Sequence, residues 1–218
     1  MLNLPIVMVL SYLAGSVPTS IIVSRLFRGI DIRDYGSGNA GATNVLRVLG
    51  WRLALLVMIV DVGKGFVAAR FIAPLAFAAI PGHPALVQIL AGTSAVVGHI
   101  YTVFAGFRGG KGVGTGAGVM LALYPLATLI CAVVFFAVAF ATRYVSLASL
   151  TAVTLLPALL VLFRAAFHWP ADPYLLVFAA LVAALIVFAH RSNIRRLLAG
   201  TENRFGSKRQ DAQTAARE

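Results

Sequence analysis

Long apolar runs alternate with short polar, glycine-rich stretches along the whole chain. The runs predict helices over 4–24, 53–73, 85–105, 113–123, 125–141, 145–163 and 174–190. About 20 apolar residues cross about 30 Å of hydrocarbon at a rise of about 1.5 Å each. Residues 113–141 read as two short helices hinged at Tyr124-Pro125, since proline removes a backbone hydrogen bond and favours a break. The fold class expected is therefore all-α: a polytopic integral membrane protein of about seven helices, some short. Residues 1–218 form a single membrane-embedded domain in this reading, with a basic tail over about 191–218.

Charge orients the helices. The inside segments are 25–52, 106–112, 142–144 and the tail, and they hold 15 of the 18 Lys and Arg; Lys64, Arg70 and Arg164 are the exceptions. Loops 74–84 and 164–173 are read as external. By the positive-inside rule the N-terminus is outside and the C-terminus cytoplasmic. Taking 113–141 as one span would strand the basic tail on the wrong side. The first run has no basic residue before it and Arg25 after it, which marks a retained span and not a cleaved leader. Composition agrees, with 60% hydrophobic and 11% charged residues. A soluble fold of this size has no core large enough to bury so much apolar surface. The net charge of +11 is a property of loops and tail, so nucleic acid is not a partner; membrane lipid is. Cys131, the single cysteine, says nothing about redox compartment.

Three polar constellations carry the chemistry. The first runs from Tyr35 to Arg47, with Ser37, Gly38, Asn39, Gly41, Thr43 and Asn44. Such a loop is either an ordinary capped connection or an anion site at a helix start, where glycines expose N–H groups and Arg47 adds a forked cation. The second joins Gly98-His99 to Phe107-Arg108-Gly109-Gly110-Lys111-Gly112. It is not a Walker A loop, having Ala105 and Gly112 where Gly and Ser/Thr belong. It still predicts bare backbone donors beside one ammonium. Tight helix packing accounts for Gly114, Gly116 and Gly118, and His99 is read as structural. The third is His190-Arg191-Ser192-Asn193 through Glu202; His190 and Asn193 share a helical face, and the arginines suit a juxtamembrane anchor. Within the second span, Asp61 and Lys64 stand at i and i+3, either as a mutual pair or as a substrate contact. No metal-ligand spacing occurs among the four His.

Together these segments resemble the bacterial membrane glycerol-3-phosphate acyltransferases that use acyl phosphate, the PlsY family. The matching residues are Ser37 to Asn44, Asp61 with Lys64-Gly65, Gly98-His99 with Phe107 to Gly112, and His190 to Leu197 with Gly200 and Glu202. The likeness covers nearly the whole chain in order. It departs at Tyr101-Thr102, where the family often has proline.

The resemblance implies that acyl phosphate and glycerol 3-phosphate give lysophosphatidate and phosphate, without cofactor or metal. The site would lie on the cytoplasmic face of the bacterial inner membrane, in a monomer. Ser37, Asn39, Lys111 and His190 are the expected catalytic residues. Gly38, Gly41, Thr43, Asn44, Arg47, Lys64, Gly109, Gly110, Gly112, Asn193 and Glu202 are the expected substrate contacts. Ser37, Asn39 and Thr43 would hold the donor phosphate, and Lys111 with Arg47 the glycerol phosphate. Either His190 or a substrate phosphate takes the proton; the phosphate is preferred because no carboxylate is evident to orient an imidazole. The His-x4-Asp motif of other glycerolipid acyltransferases is absent, since Gln88, Phe104, Pro173 and Arg195 stand five after each His. A phosphate or organophosphate transporter would also use broken helices with glycine-rich ends, but here the polar motifs sit on one face and not at the midplane.

Overall fold

The computed structural model of the protein describes residues 2–167 and 173–205. Part of the loop 164–173 and the tail beyond Phe205, with Lys208, Arg209 and Arg217, lie outside the described residues. The described residues form helices and connections, with no strand among them. Each expected apolar segment is helical: α1 Leu4–Ser16 with α2 Thr19–Arg28, α4 Trp51–Val67, α5 Pro84–Ile100, α6 Val113–Leu123, α7 Pro125–Thr142, α8 Val145–Phe167 and α9 Pro173–Ala189. Two short helices are amphipathic additions, α3 Ala42–Leu49 and α10 Arg191–Leu198. Among the described residues four stretches are long and apolar enough to cross a bilayer alone, and α9 with α10, bent by 61°, counts as a fifth when the bent pair is taken as one span. The chain is thus an all-helical, multi-pass membrane protein.

Two breaks depart from the expected spans. The first span is cut at Val17-Pro18. Proline has no N–H and pushes the residue before it out of the helical region; Val17 sits at φ −54°, ψ 113°. The freed carbonyls find partners, as they must away from water. Lys64 donates Nζ to the Val17 carbonyl at 3.1 Å, and the Thr102 hydroxyl donates to that of Ser16. The second span loosens beyond Val67 into a π turn, Ala68–Ile72, and then a 3-10 stretch, Ala73–Ala79, entered at Pro74.

Helices α1 and α5 pack closely, as do α4 and α6. Glycine makes both approaches possible. A Cβ on Gly15 would collide with the Ala95 carbonyl and one on Gly98 with that of Tyr12; Gly65 faces the Thr115 carbonyl and Gly118 that of Val62. Such contacts replace the hydrophobic drive that lipid removes. A larger apolar core joins α5, α6, α8 and α9 through Val96, Val119, Leu160 and Phe178. Both glycine-rich loops emerge at one end of this bundle, beside α10.

Candidate active site

The loop after α2 is shaped by Asn44, which has no exposed surface. Its Nδ2 donates to the carbonyls of Ile32 and Tyr35, both at 2.9 Å, and its Oδ1 accepts the Ser37 N–H at 2.8 Å. These bonds curl residues 35–44 over the start of α3. Asn44 was expected to touch substrate; its amide is instead spent on backbone, so it is a strut. Ser37 and Gly38 are exposed and Asn39 and Thr43 half-buried, on the open side of the loop. Gly41 caps α3, and Arg47 stands in its last turn. The Arg47 Nε is buried and has no hydrogen-bond partner among the described residues.

The second loop also differs from expectation. Gly109 donates its N–H to the Ile100 carbonyl and Gly110 to that of His99, both at 3.0 Å. These N–H groups satisfy the end of α5 and are not free for an anion, which corrects the cradle predicted for them. The glycines are there for room: a Cβ on Gly109 would strike the His99 carbonyl, and one on Gly110 the His99 ring. Lys111 follows directly, and Gly112, at φ 82°, caps the start of α6. A helix N-terminus there adds partial positive charge.

Lys111 reaches across to α10 and donates to Asn193 Oδ1. The Asn193 Nδ2 donates to Glu202 Oε1 at 2.7 Å, and Ser146 Oγ donates to the same oxygen at 2.9 Å. Arg196 Nε donates to Glu202 Oε2 at 2.6 Å. Arg196, expected to be only an anchor, therefore belongs to the cluster. Burial opposes the Glu202 charge, but hydrogen bonds from Asn193, Arg196 and Ser146 overcome it and hold the carboxyl below its usual value. Burial pushes the Lys111 ammonium down to about 8; Glu202 works against that shift, Arg196 and Arg47 with it. Arg47 is lowered too, by burial first, with Glu202 opposing. His190 is buried beside this group, its Nδ1 held at 2.8 Å by the Ile186 carbonyl.

Lys64 falls in a second cluster. Its Nζ lies 2.9 Å from Asp61 Oδ1, and His99 Nδ1 lies 3.7 Å from the same oxygen. The three line a recess with Val17, Ser20, Ala40 and Gly110, between the break in the first span and both glycine loops. Lys64, expected on substrate, caps the Val17 carbonyl and pairs with Asp61. A carboxylate does therefore stand beside an imidazole, but the imidazole is His99 and not His190. Sequence spacing could not reveal this, because Asp61 and His99 come from different helices. Ser146, 56 residues from Glu202, gave no signal at all. Among the described residues no three His, Cys, Asp or Glu gather as a metal site.

The chain resembles known proteins over most of its length. A sequence model of the family described as Glycerol-3-phosphate acyltransferase matches residues 5–200. A glycerol-3-phosphate acyltransferase of Chlorobium phaeobacteroides is 46% identical over 228 residues, covering 94% of this chain and 97% of that one. One from Salinibacter ruber is 46% identical over 216 residues, covering 95% and 94%. Among solved structures, the glycerol 3-phosphate form of PlsY (YgiH), an integral membrane glycerol 3-phosphate acyltransferase, superposes with a TM-score of 0.80 at 40% identity, over 93% of this chain and 96% of that one. Its lysphosphatidic acid form gives 0.78 at 39%, over 93% and 95%. On this similarity, which runs through both glycine loops and α10, the chain belongs to the glycerol-3-phosphate acyltransferase family.

Proposed function

We propose that the protein transfers an acyl group from an acyl phosphate to the sn-1 hydroxyl of glycerol 3-phosphate, giving lysophosphatidate and inorganic phosphate. The reaction is assigned to the cytoplasmic face of the bacterial inner membrane, and the concentration of Lys and Arg in the loops that carry the site supports that side. One observation carries the reading: Lys111 and the unpaired, buried Nε of Arg47 share a half-buried, cation-rich cluster braced by Asn193 and Glu202. Two phosphate-bearing reactants need such a surplus of positive charge, and one similar protein, PlsY (YgiH), is solved in a glycerol 3-phosphate form and in a lysphosphatidic acid form.

In this mechanism Arg47 and Lys111 clamp the glycerol phosphate. Ser37, Asn39 and Thr43, with the N–H groups at the start of α3, hold the donor phosphate. The sn-1 oxygen attacks the acyl carbonyl carbon, a tetrahedral oxyanion forms and is stabilised by amide donors, and the bond to the phosphate oxygen breaks. The hydroxyl proton leaves with the inorganic phosphate. His190 keeps its Nδ1–H on the Ile186 carbonyl, which leaves Nε2 as the acceptor of the neutral ring. Catalysis is then mainly positioning and charge compensation.

The deciding experiment gives purified protein radiolabelled glycerol 3-phosphate with palmitoyl phosphate or palmitoyl-CoA, with and without EDTA. Product from the acyl phosphate alone, unaffected by EDTA, is the expected result. Robust turnover of the CoA ester, or loss with EDTA and recovery with magnesium, overturns it.

A further inference from the structure

Asp31 and Arg33 lie outside every residue assigned to substrate above. Asp31 caps, and Arg33 lies on, the 3-10 turn Ile32–Asp34 between α2 and the first glycine loop. The Arg33 guanidinium donates Nε to Asp31 Oδ1 at 3.0 Å and Nη2 to Oδ2 at 2.8 Å. Asp31 also accepts Nη2 of Arg25, from the last turn of α2, at 3.0 Å. The remaining Arg33 nitrogen, Nη1, donates to the Ala105 carbonyl at 2.8 Å, across 72 residues of chain. Ala105 ends the turn Val103–Ala105.

That carbonyl is a sensitive point. Gly106 and Phe107 follow it at φ 64° and φ 59°, both left-handed. A bulky residue at positive φ is held there only by its surroundings. The double reversal brings the Phe107 N–H to the Thr102 carbonyl at 2.8 Å and sets Gly109 and Gly110 on the end of α5, immediately before Lys111. On its other side, Arg33 backs the first loop: its carbonyl would lie 3.3 Å from a Cβ on Gly38. One side chain thus touches the base of the Lys111 loop from the turn that leads directly into the Ser37 loop, with its own carbonyl close to Gly38. The hydrogen bonds from Arg33 hold the Asp31 carboxyl well below the usual carboxylate range, so the pair stays charged at working pH.

We infer that Arg33 is a positioning residue that fixes the spacing between the Ser37–Arg47 loop and the Lys111 loop, so that Arg47 and Lys111 close on one glycerol phosphate. This rests on the reading that those two cations form the phosphate clamp. Arginine is required because its fork takes Asp31 and Ala105 together, which a lysine point charge does not do.

The test compares Arg33→Ala, Arg33→Lys and Lys111→Ala in detergent, with palmitoyl phosphate saturating and glycerol 3-phosphate varied. Arg33→Ala should raise the KM for glycerol 3-phosphate by about tenfold, as misplacement of a binding group does, with kcat held within about threefold and the melting temperature unchanged. Millimolar guanidinium should lower that KM again in Arg33→Ala and leave the parent unaffected. Arg33→Lys should show a raised KM too, and it decides the matter if Arg33→Ala does not fold. A parental KM in the folded variant overturns the inference, as does a fall in kcat alone or a defect that tracks lost thermal stability without rescue. If Lys111→Ala keeps parental efficiency, the clamp itself is misassigned; if only the Arg33 variants do, the clamp stands and the strut falls.

Discussion

Asn193 donates through Nδ2 to Oε1 of Glu202 at 2.7 Å while its Oδ1 accepts the Lys111 ammonium. The amide therefore sits between a half-buried cation and a buried anion, bonded to both. A carboxylate directly on Lys111 would compete with an incoming phosphate. Placed one amide away, Glu202 offsets the ammonium without occupying its face, and Ser146 and Arg196 keep the carboxylate from closing that gap.

Lys111 and Arg108 lie three apart and should behave differently. Arg108 is exposed, and Lys111 is half-buried at the start of α6. A charged hydrogen bond to phosphate contributes about 1.5–3 kcal/mol, which is roughly 10- to 150-fold in efficiency. Lys111→Ala should lose that much kcat/KM for glycerol 3-phosphate at matched expression, while Arg108→Ala keeps most of it. Arg47→Lys should also be impaired, since an ammonium does not replace a fork. Near-parental kinetics for Lys111→Ala would refute the proposed clamp.

The pH profile follows from the same lysine. Burial lowers Lys111 to about 8 in the free protein. Only the ammonium attracts phosphate, so kcat/KM for glycerol 3-phosphate should fall as pH rises through about 8. A bound phosphate raises the lysine pKa, so kcat at saturating substrate should hold to higher pH. Lys111→Arg, charged throughout, should lose the basic limb. A limb that persists in Lys111→Arg assigns the titration to another group.

Gly110→Ala tests the packing of the second loop apart from its charge. The new methyl would meet the His99 ring and lie 2.8 Å from the Ala40 carbonyl. Overpacking of this kind costs about 1–3 kcal/mol. The variant should melt lower and be poorly active, and Gly63→Ala, with open space at its Cβ, should match the parent. A fully active, equally stable Gly110→Ala would show that the loop has room to move.

Topology has its own test. Ala79 and Asn203 are both exposed, near opposite ends of the bundle in the proposed orientation. With Cys131 changed to Ala, a cysteine at Ala79 should react with an impermeant maleimide on intact cells. One at Asn203 should react only after lysis. Equal labelling on intact cells would reject the assignment from charge.

Much of the fold was legible because lipid makes hydrophobicity a length signal. Residues 113–123 were expected and observed as a helix with the same bounds. The break at Pro18 was missed, although proline announced it, because the run on either side stayed apolar. The candidate site was legible as segments and not as contacts. Lys111, Asn193 and Glu202 each stood out by residue type, but their bonding depends on how α10 folds back against α8 and the Lys111 loop. Asn44, Gly109 and Gly110 carried the right residue types for a phosphate cradle, yet their polar groups are consumed in shaping the loops. Spacing shows which donors exist and does not show which are already taken.

Glu202 offers the most direct test of the bracing. Its side chain is 1% exposed, and both oxygens accept hydrogen bonds: Oε1 from Asn193 and Ser146, Oε2 from Arg196. A glutamine of the same shape has one oxygen and one NH2 group. If the oxygen serves Asn193 and Ser146, the NH2 opposes the Arg196 Nε, and two donors face each other. Arg196 is 35% exposed and turns to water, which limits the penalty. Glu202→Gln should then lose about 1.5–3 kcal/mol, the worth of a charged hydrogen bond, and keep Asn193 roughly in place. Glu202→Ala removes every bond and frees Asn193, so Lys111 loses its orientation as well. Ser146→Ala removes one of two donors on a single oxygen and should be mildest. Melting temperature and kcat/KM should both fall in the order Ser146→Ala, Glu202→Gln, Glu202→Ala. Equal activity for Glu202→Ala and Ser146→Ala, measured on folded protein, would mean that the carboxylate does not orient Lys111 through Asn193.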